Sequence, residues 1–217
     1  AFISEDGRTY YYVVENPNYY GKVKVVKVDA ETDRVIPQAN IEFKIKNVDT
    51  GEWVAQEILY PTPVIIDSYL TNAEGWLVMP QPLLHGNYEL HEVQAPHGYL
   101  LSETPIPFTV TLENPVEYLE VKMPDMPVKG KVTVTKTGEV LTGAAQQEND
   151  HGTLYTPEYT IRGIQGAVFD IIAAEDIITP DGTVRAQQGE VVDTITTGAD
   201  GTAESRELYL GNLLLVN

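Results

Sequence analysis

Short runs in which apolar and polar side chains alternate recur along the chain. Gly21-Lys22-Val23-Lys24-Val25-Val26-Lys27-Val28, Gly86-Asn87-Tyr88-Glu89-Leu90-His91-Glu92, Phe108-Thr109-Val110-Thr111-Leu112 and Tyr118-Leu119-Glu120-Val121-Lys122-Met123 all follow it. A period of two predicts β-strands with one buried face. No long apolar stripe at helical spacing accompanies them. Val, Ile, Thr and 13 Tyr favour strands, and 14 Pro with 17 Gly punctuate many short elements. An all-β chain is expected.

The pattern repeats. Gly21–Lys27 recurs as Gly130-Lys131-Val132-Thr133-Val134-Thr135-Lys136, each ending in a lysine on the face of two valines. Thr71-Asn72-Ala73-Glu74-Gly75 matches Thr197-Gly198-Ala199-Asp200-Gly201, and both read as turns. Gly86–Glu92 matches Gly211-Asn212-Leu213-Leu214-Leu215-Val216-Asn217. Three landmarks in one order predict two copies of one unit. The first copy spans residues 21–127 and the second residues 128–217. The second reads as truncated, because it stops where the first has Glu92. Residues 138–165 read as an inserted loop or hairpin. Residues 1–20 read as the last strand of a preceding domain, with Tyr12, Val14 and Asn16 on one face, or as an N-terminal strand of the first. Truncation of a longer array accounts for both open ends. The alternative is strand exchange between copies, one molecule's N-terminus completing another's second domain.

Three strands of the first copy end an apolar face with an ionisable group. Lys27 follows Val23 and Val25, Glu92 follows Tyr88 and Leu90, and Asp125 follows Leu119, Val121 and Met123. An isolated ammonium in an apolar core costs several kcal/mol unless it is paired, neutralised or reacted. One reading is a buried salt-bridge triad, in which two carboxylates around one ammonium leave one carboxyl protonated. The other is chemical. Burial disfavours charged forms, a neutral amine is a nucleophile, and a protonated carboxyl is an electrophile that can lose water. Glu92 would relay protons between them. The product would be an amide joining Lys27 to Asp125.

These residues carry a resemblance. Tyr88-Glu89-Leu90-His91-Glu92-Val93-Gln94-Ala95-Pro96-His97-Gly98-Tyr99 resembles the Tyr-x-Leu-x-Glu-x-x-Ala-Pro-x-Gly-Tyr signature of the B-type repeats of collagen-binding adhesins and of SpaA-type pilin domains. Lys27-Val28-Asp29-Ala30-Glu31-Thr32 is similar to the family's first strand and turn. The resemblance covers nearly all of the first copy and the front half of the second. It implies tandem Ig-like (prealbumin-like) β-sandwich domains of Gram-positive surface proteins, extracellular at the cell surface or cell wall. It also implies a self-formed Lys–Asn or Lys–Asp isopeptide bond assisted by a Glu. By position Lys27 is then the nucleophile and Glu92 the proton-shuttling acid. Asp125 is the acceptor, where the family more often has Asn, so water is lost. Lys136 matches the reactive lysine of the second copy, but its acid position holds Asn217. Asn16 matches the acceptor of a preceding domain. Lys136 and Asn16 are expected to stay unpaired, Lys136 as an ordinary amine.

The remaining chemistry is sparse. A net charge of −18 argues against nucleic acid and anionic membrane as partners. There is no cysteine, hence no disulfide or thiol chemistry. No signal peptide, transmembrane run or sorting signal is found, so an internal piece of a longer surface protein is expected. No phosphate loop, dinucleotide fingerprint or Gly-x-Ser-x-Gly is found, and no cofactor or metal is expected. His85, His91 and His97 read as surface residues. Thr179-Pro180-Asp181-Gly182 reads as a turn rather than a calcium loop. Tyr10, Tyr11, Tyr12, Tyr19 and Tyr20 read as strand formers and packing residues rather than a sticky patch. The expected function is a structural stalk module stapled by Lys27–Asp125, whose partners are neighbouring domains of the same surface protein. It is not expected to be an enzyme beyond that self-catalysed bond. The alternative is an adhesin domain that contacts a host extracellular protein or glycan through Gln56–Tyr69 or Gly138–Gln165.

Overall fold

The computed structural model describes residues 2–3, 9–10, 19–114 and 117–217, and among them the regular elements are all strands. The chain forms two compact units, one of residues 1–28, 37–95 and 101–124, the other of residues 29–36, 96–100 and 125–217.

The first unit is a sandwich of two sheets. One sheet holds, in spatial order, Ile106–Val110, Gly86–Glu92, Glu42–Asn47 and Tyr69–Leu70. The other holds Leu119–Asp125, Val23–Asp29 and Trp76–Val78. Most neighbours are antiparallel, with Leu90 opposite Ile45 and Val25 opposite Leu77. The pair formed by the Leu119–Asp125 and Val23–Asp29 strands is parallel: Leu119 N–H donates to the Lys22 carbonyl at one end and Ala30 N–H to the Asp125 carbonyl at the other. Val23, Val25, Phe43, Ile45, Leu90 and Met123 meet in the core, as alternation predicts. Alternation alone misses that Val26 and Val28 are buried as well, so this strand is covered on both faces.

The sequence repeat is a repeat of hydrogen bonds. Thr71 Oγ1 donates to the Gln38 carbonyl (2.7 Å) and accepts from Ile41 N–H (3.0 Å). Thr197 Oγ1 donates to the Ile164 carbonyl (2.6 Å) and accepts from Ala167 N–H (2.9 Å). Each threonine opens a turn closed by a glycine, Gly75 at φ 81° and Gly201 at φ 80°, where a β-carbon is costly. Lys27 N–H donates to the Gly75 carbonyl (2.9 Å) and Lys136 N–H to the Gly201 carbonyl (2.8 Å). Leu213–Val216 pairs with Val168–Ala173 as Gly86–Glu92 pairs with Glu42–Asn47. The core of the second unit is Phe169, Ile171, Ile195 and Leu208.

The expected insertion is a long two-stranded ribbon, Thr137–Asn149 antiparallel to Gly152–Gly163, with a bulge between Leu141 and Gly143. A shorter hairpin joins Gln56–Ile58 to Val64–Ile66. The N-terminal stretch departs from expectation. Instead of one strand, Phe2–Ile3 and Thr9–Tyr10 form a small antiparallel hairpin. A turn between them uses residues that a single strand would have extended. Tyr11, Tyr12, Val14 and Asn16 lie outside the described residues. Tyr19 packs against the first core, while Tyr20 is exposed.

Candidate functional site

Two strands of the first unit deliver a lysine and a glutamate to one place. Lys27 continues the core face of Val23 and Val25. Glu92 ends the face of Tyr88 and Leu90 and stands opposite Phe43 on the neighbouring strand. Lys27 Nζ lies 2.7 Å from Glu92 Oε1, and both side chains are 0% exposed. The other oxygen, Glu92 Oε2, accepts the Ser102 backbone N–H at 3.0 Å. Stripping two ions of water costs about as much as their attraction returns, so net stability is a weak reason for such a pair. What the arrangement provides is an amine and a carboxyl in contact, shielded from solvent.

Asp125 ends the Leu119–Asp125 strand, next in the sheet to the strand that bears Lys27. It is 1% exposed, and both of its carboxylate oxygens are shut off from solvent. Its backbone carbonyl accepts Ala30 N–H at 2.8 Å.

The second unit departs from the expected likeness at Lys136. Its backbone occupies the position of Lys27, but the side chain is exposed, and Val132 and Val134 are only half-buried. The residue at the register of Glu92 is Asn217, exposed, with its amide donating to the Val168 carbonyl at 2.9 Å. An amide supplies no charge to hold an ammonium inside, so water holds it outside. His85 and His97 are exposed. His91 is half-buried, edge-on to Trp53 at 5.0 Å and 3.2 Å from Glu89. Gly182 N–H donates to the Thr179 carbonyl at 2.8 Å, closing the expected turn.

Sequence reasoning passed over Asp29. It is fully buried, and all its partners here belong to the second unit. Oδ1 accepts the backbone N–H groups of Glu31 (2.7 Å) and Thr32 (3.0 Å). Oδ2 accepts the Tyr99 hydroxyl (2.9 Å) and Arg185 Nη2 (2.7 Å). Arg185 also reaches Glu31 Oε2 (3.0 Å) and the Tyr209 hydroxyl (3.1 Å), and its guanidinium lies 4.5 Å from the Tyr209 ring centre. Burial, reinforced by the hydrogen bond to Asp29, pushes the Tyr99 hydroxyl pKa up. Burial alone would raise the Asp181 pKa, but hydroxyl donors from Thr179, Thr183 and Thr32 outweigh it and hold the value down at about 2. The signal for Asp29 was present: the alternation Val23, Val25, Lys27 places it next on the same face.

An all-β, Ig-like sandwich with its first and last strands side by side and a buried Lys–Glu pair is a prealbumin-like domain. Residues 21–124 match the family model of the SpaA prealbumin-like fold domain, and this stretch belongs to that family. No curated protein matches the chain. Among solved structures it is similar to the Bacillus anthracis TIE protein, at 21% identity and a TM-score of 0.48, covering 90% of this chain and 28% of that one. It is similar to a streptococcal ancillary pilin, at 21% identity and a TM-score of 0.39, covering 90% and 52%. A minor pilin of Streptococcus agalactiae is 18% identical, with a TM-score of 0.40, covering 50% and 44%. The chain thus spans between 28% and 52% of these proteins' lengths.

Proposed function

We propose that the chain is a structural stalk module of a Gram-positive cell-surface adhesin or pilin-like protein, stapled by an autocatalytic isopeptide bond between Lys27 and Asp125. One observation carries the reading: the Lys27–Glu92 contact of 2.7 Å between wholly buried side chains, on a strand whose sheet neighbour ends in the buried carboxyl of Asp125. In the reaction Lys27 gives up a proton and attacks Asp125 Cγ as a neutral amine. A C–N bond forms, a C–O bond breaks, and the departing oxygen takes up two protons and leaves as water. Glu92 receives the nitrogen's proton and returns it to the leaving oxygen. Fixed packing supplies the proximity.

The bond would close a loop of roughly a hundred residues, worth about 4–5 kcal/mol if the chain-entropy account of disulfides applies. It joins parallel first and last strands, so a pulling force would pass along the staple rather than unzip the sandwich. Neighbouring domains of the same surface protein are the partners this role requires. The chemistry is directed inward, since no external substrate reaches a wholly buried pair. Intact-mass spectrometry tests the reading: the chain should be lighter by one water, and Lys27→Ala should restore the full mass. A wild-type chain of full mass would leave only a buried ion pair.

A second reading has its own observation. Leu141 stands opposite Tyr159 on the Thr137–Gly163 ribbon, and both are exposed together with Tyr155 and Ile161. Such a surface suits contact with a host extracellular protein or glycan. Replacing residues 142–158 by a tight turn should abolish that binding while the strand signature in circular dichroism persists. Unchanged binding would exclude the ribbon.

A further inference from the structure

We infer that the backbone amide of Ser102 is a positioning group for the Lys27 chemistry, because it confines the transferable proton to Glu92 Oε1. The inference rests on the reading of Lys27 as a nucleophile. The terminal torsion of a glutamate is broad and roughly two-fold, so an unrestrained carboxyl presents either oxygen to its neighbour. Here Ser102 N–H donates to Oε2 at 3.0 Å, while Oε1 lies 2.7 Å from Lys27 Nζ. The hydroxyl oxygen of a carboxylic acid is a poorer acceptor than its carbonyl oxygen, so the donor selects the form in which Oε2 carries no proton. The proton leaving Nζ therefore arrives at Oε1, and departs from Oε1 toward the oxygen that Asp125 loses as water. Ser102 lies outside the strands, and its own hydroxyl is directed to the Thr104 carbonyl at 3.4 Å. Only the main-chain N–H is involved, so the identity of the side chain should be immaterial.

The experiment follows the loss of water by intact mass in full-length chains sampled during cell-free synthesis. Ser102→Ala, which keeps the N–H, should crosslink at the wild-type rate. Ser102→Pro, which lacks it, should crosslink at least about tenfold more slowly, at the low end of what a positioned proton carrier contributes. Ser102→Pro is also made in the Lys27→Ala chain, where unchanged circular dichroism and thermal midpoint establish that the fold survives. Wild-type kinetics in a folded Ser102→Pro chain would overturn the role of this amide and leave the Lys27 reaction standing. A wild-type chain that never loses water would overturn the Lys27 reaction itself. If the proline variant does not fold, amide hydrogen exchange of the wild-type chain decides. The Ser102 amide should exchange at least about tenfold more slowly than an unstructured amide, as a bonded N–H does. Exchange at the unstructured rate would overturn the inference.

Discussion

Lys27 Nζ and Glu92 Oε1 are 2.7 Å apart with neither side chain open to water. Each ion is tolerable only because of the other. Removing one leaves the other as an uncompensated buried charge, at a cost of about 3–5 kcal/mol. Glu92→Ala and Lys27→Met should each destabilise the chain by that order, beyond any loss from a missing crosslink. The double variant Lys27→Met, Glu92→Leu should be more stable than either single one, since a well-packed apolar pair replaces an ion pair at little cost. Urea denaturation of the three variants measures this. A double variant less stable than both singles would contradict it.

Arg185 should be as sensitive in the second unit. It lies 2.7 Å from the fully buried Asp29 and stacks on Tyr209. Arg185→Ala removes the only cation these contacts give Asp29 and should cost about 3–5 kcal/mol. Arg185→Lys should recover only part, because an ammonium cannot make the forked contacts to Asp29, Glu31 and Tyr209 together. Thermal or urea unfolding separates the two variants.

Asp181 should give the second unit an acid-labile component. Its folded-state pKa is held at about 2, below the ordinary value of 3.8. A depressed pKa stabilises the charged form. The contribution is complete above about pH 4 and fades as pH falls through about 2. The shift corresponds to about 2 kcal/mol. Asp181→Asn should therefore lower stability by about 2 kcal/mol at pH 7, with the difference from wild type mostly gone by pH 2. A constant difference across that range would place the effect elsewhere than the charge.

Gly201 should resist substitution for two reasons at once. Its φ is +80°, and an added β-carbon would overlap the Lys136 carbonyl oxygen and the Gly163 backbone. Neither obstacle is a side chain that can turn away. Gly201→Ala should cost about 2–4 kcal/mol, combining left-handed strain with displacement of the backbone that seats Lys136. Chemical denaturation reads the loss directly.

Strand identity, the repeat and the burial of Lys27, Glu92 and Asp125 were all legible in the sequence. Period-two alternation states which side chains share a face, and the valines state which face is dry. The same logic reached Asp29, had the alternation been followed one residue past Lys27. It failed at Lys136, where two valines and a lysine repeat the local pattern while the side chain stays in water. It also failed at the N-terminus, where a hairpin stands in place of a single strand.

By itself the sequence determined the strands, their inward faces and the turns at Gly75 and Gly201, because these depend on neighbours two to four residues away. Only the tertiary structure decided the pairings: Lys27 with Glu92, Glu92 with the Ser102 amide, and Asp29 with Arg185 across 156 positions. Strand order and register set those distances, and both follow from how whole sheets exclude water rather than from any local run of residues. That is why one lysine of the repeat is sealed against a carboxylate and the other is an exposed amine.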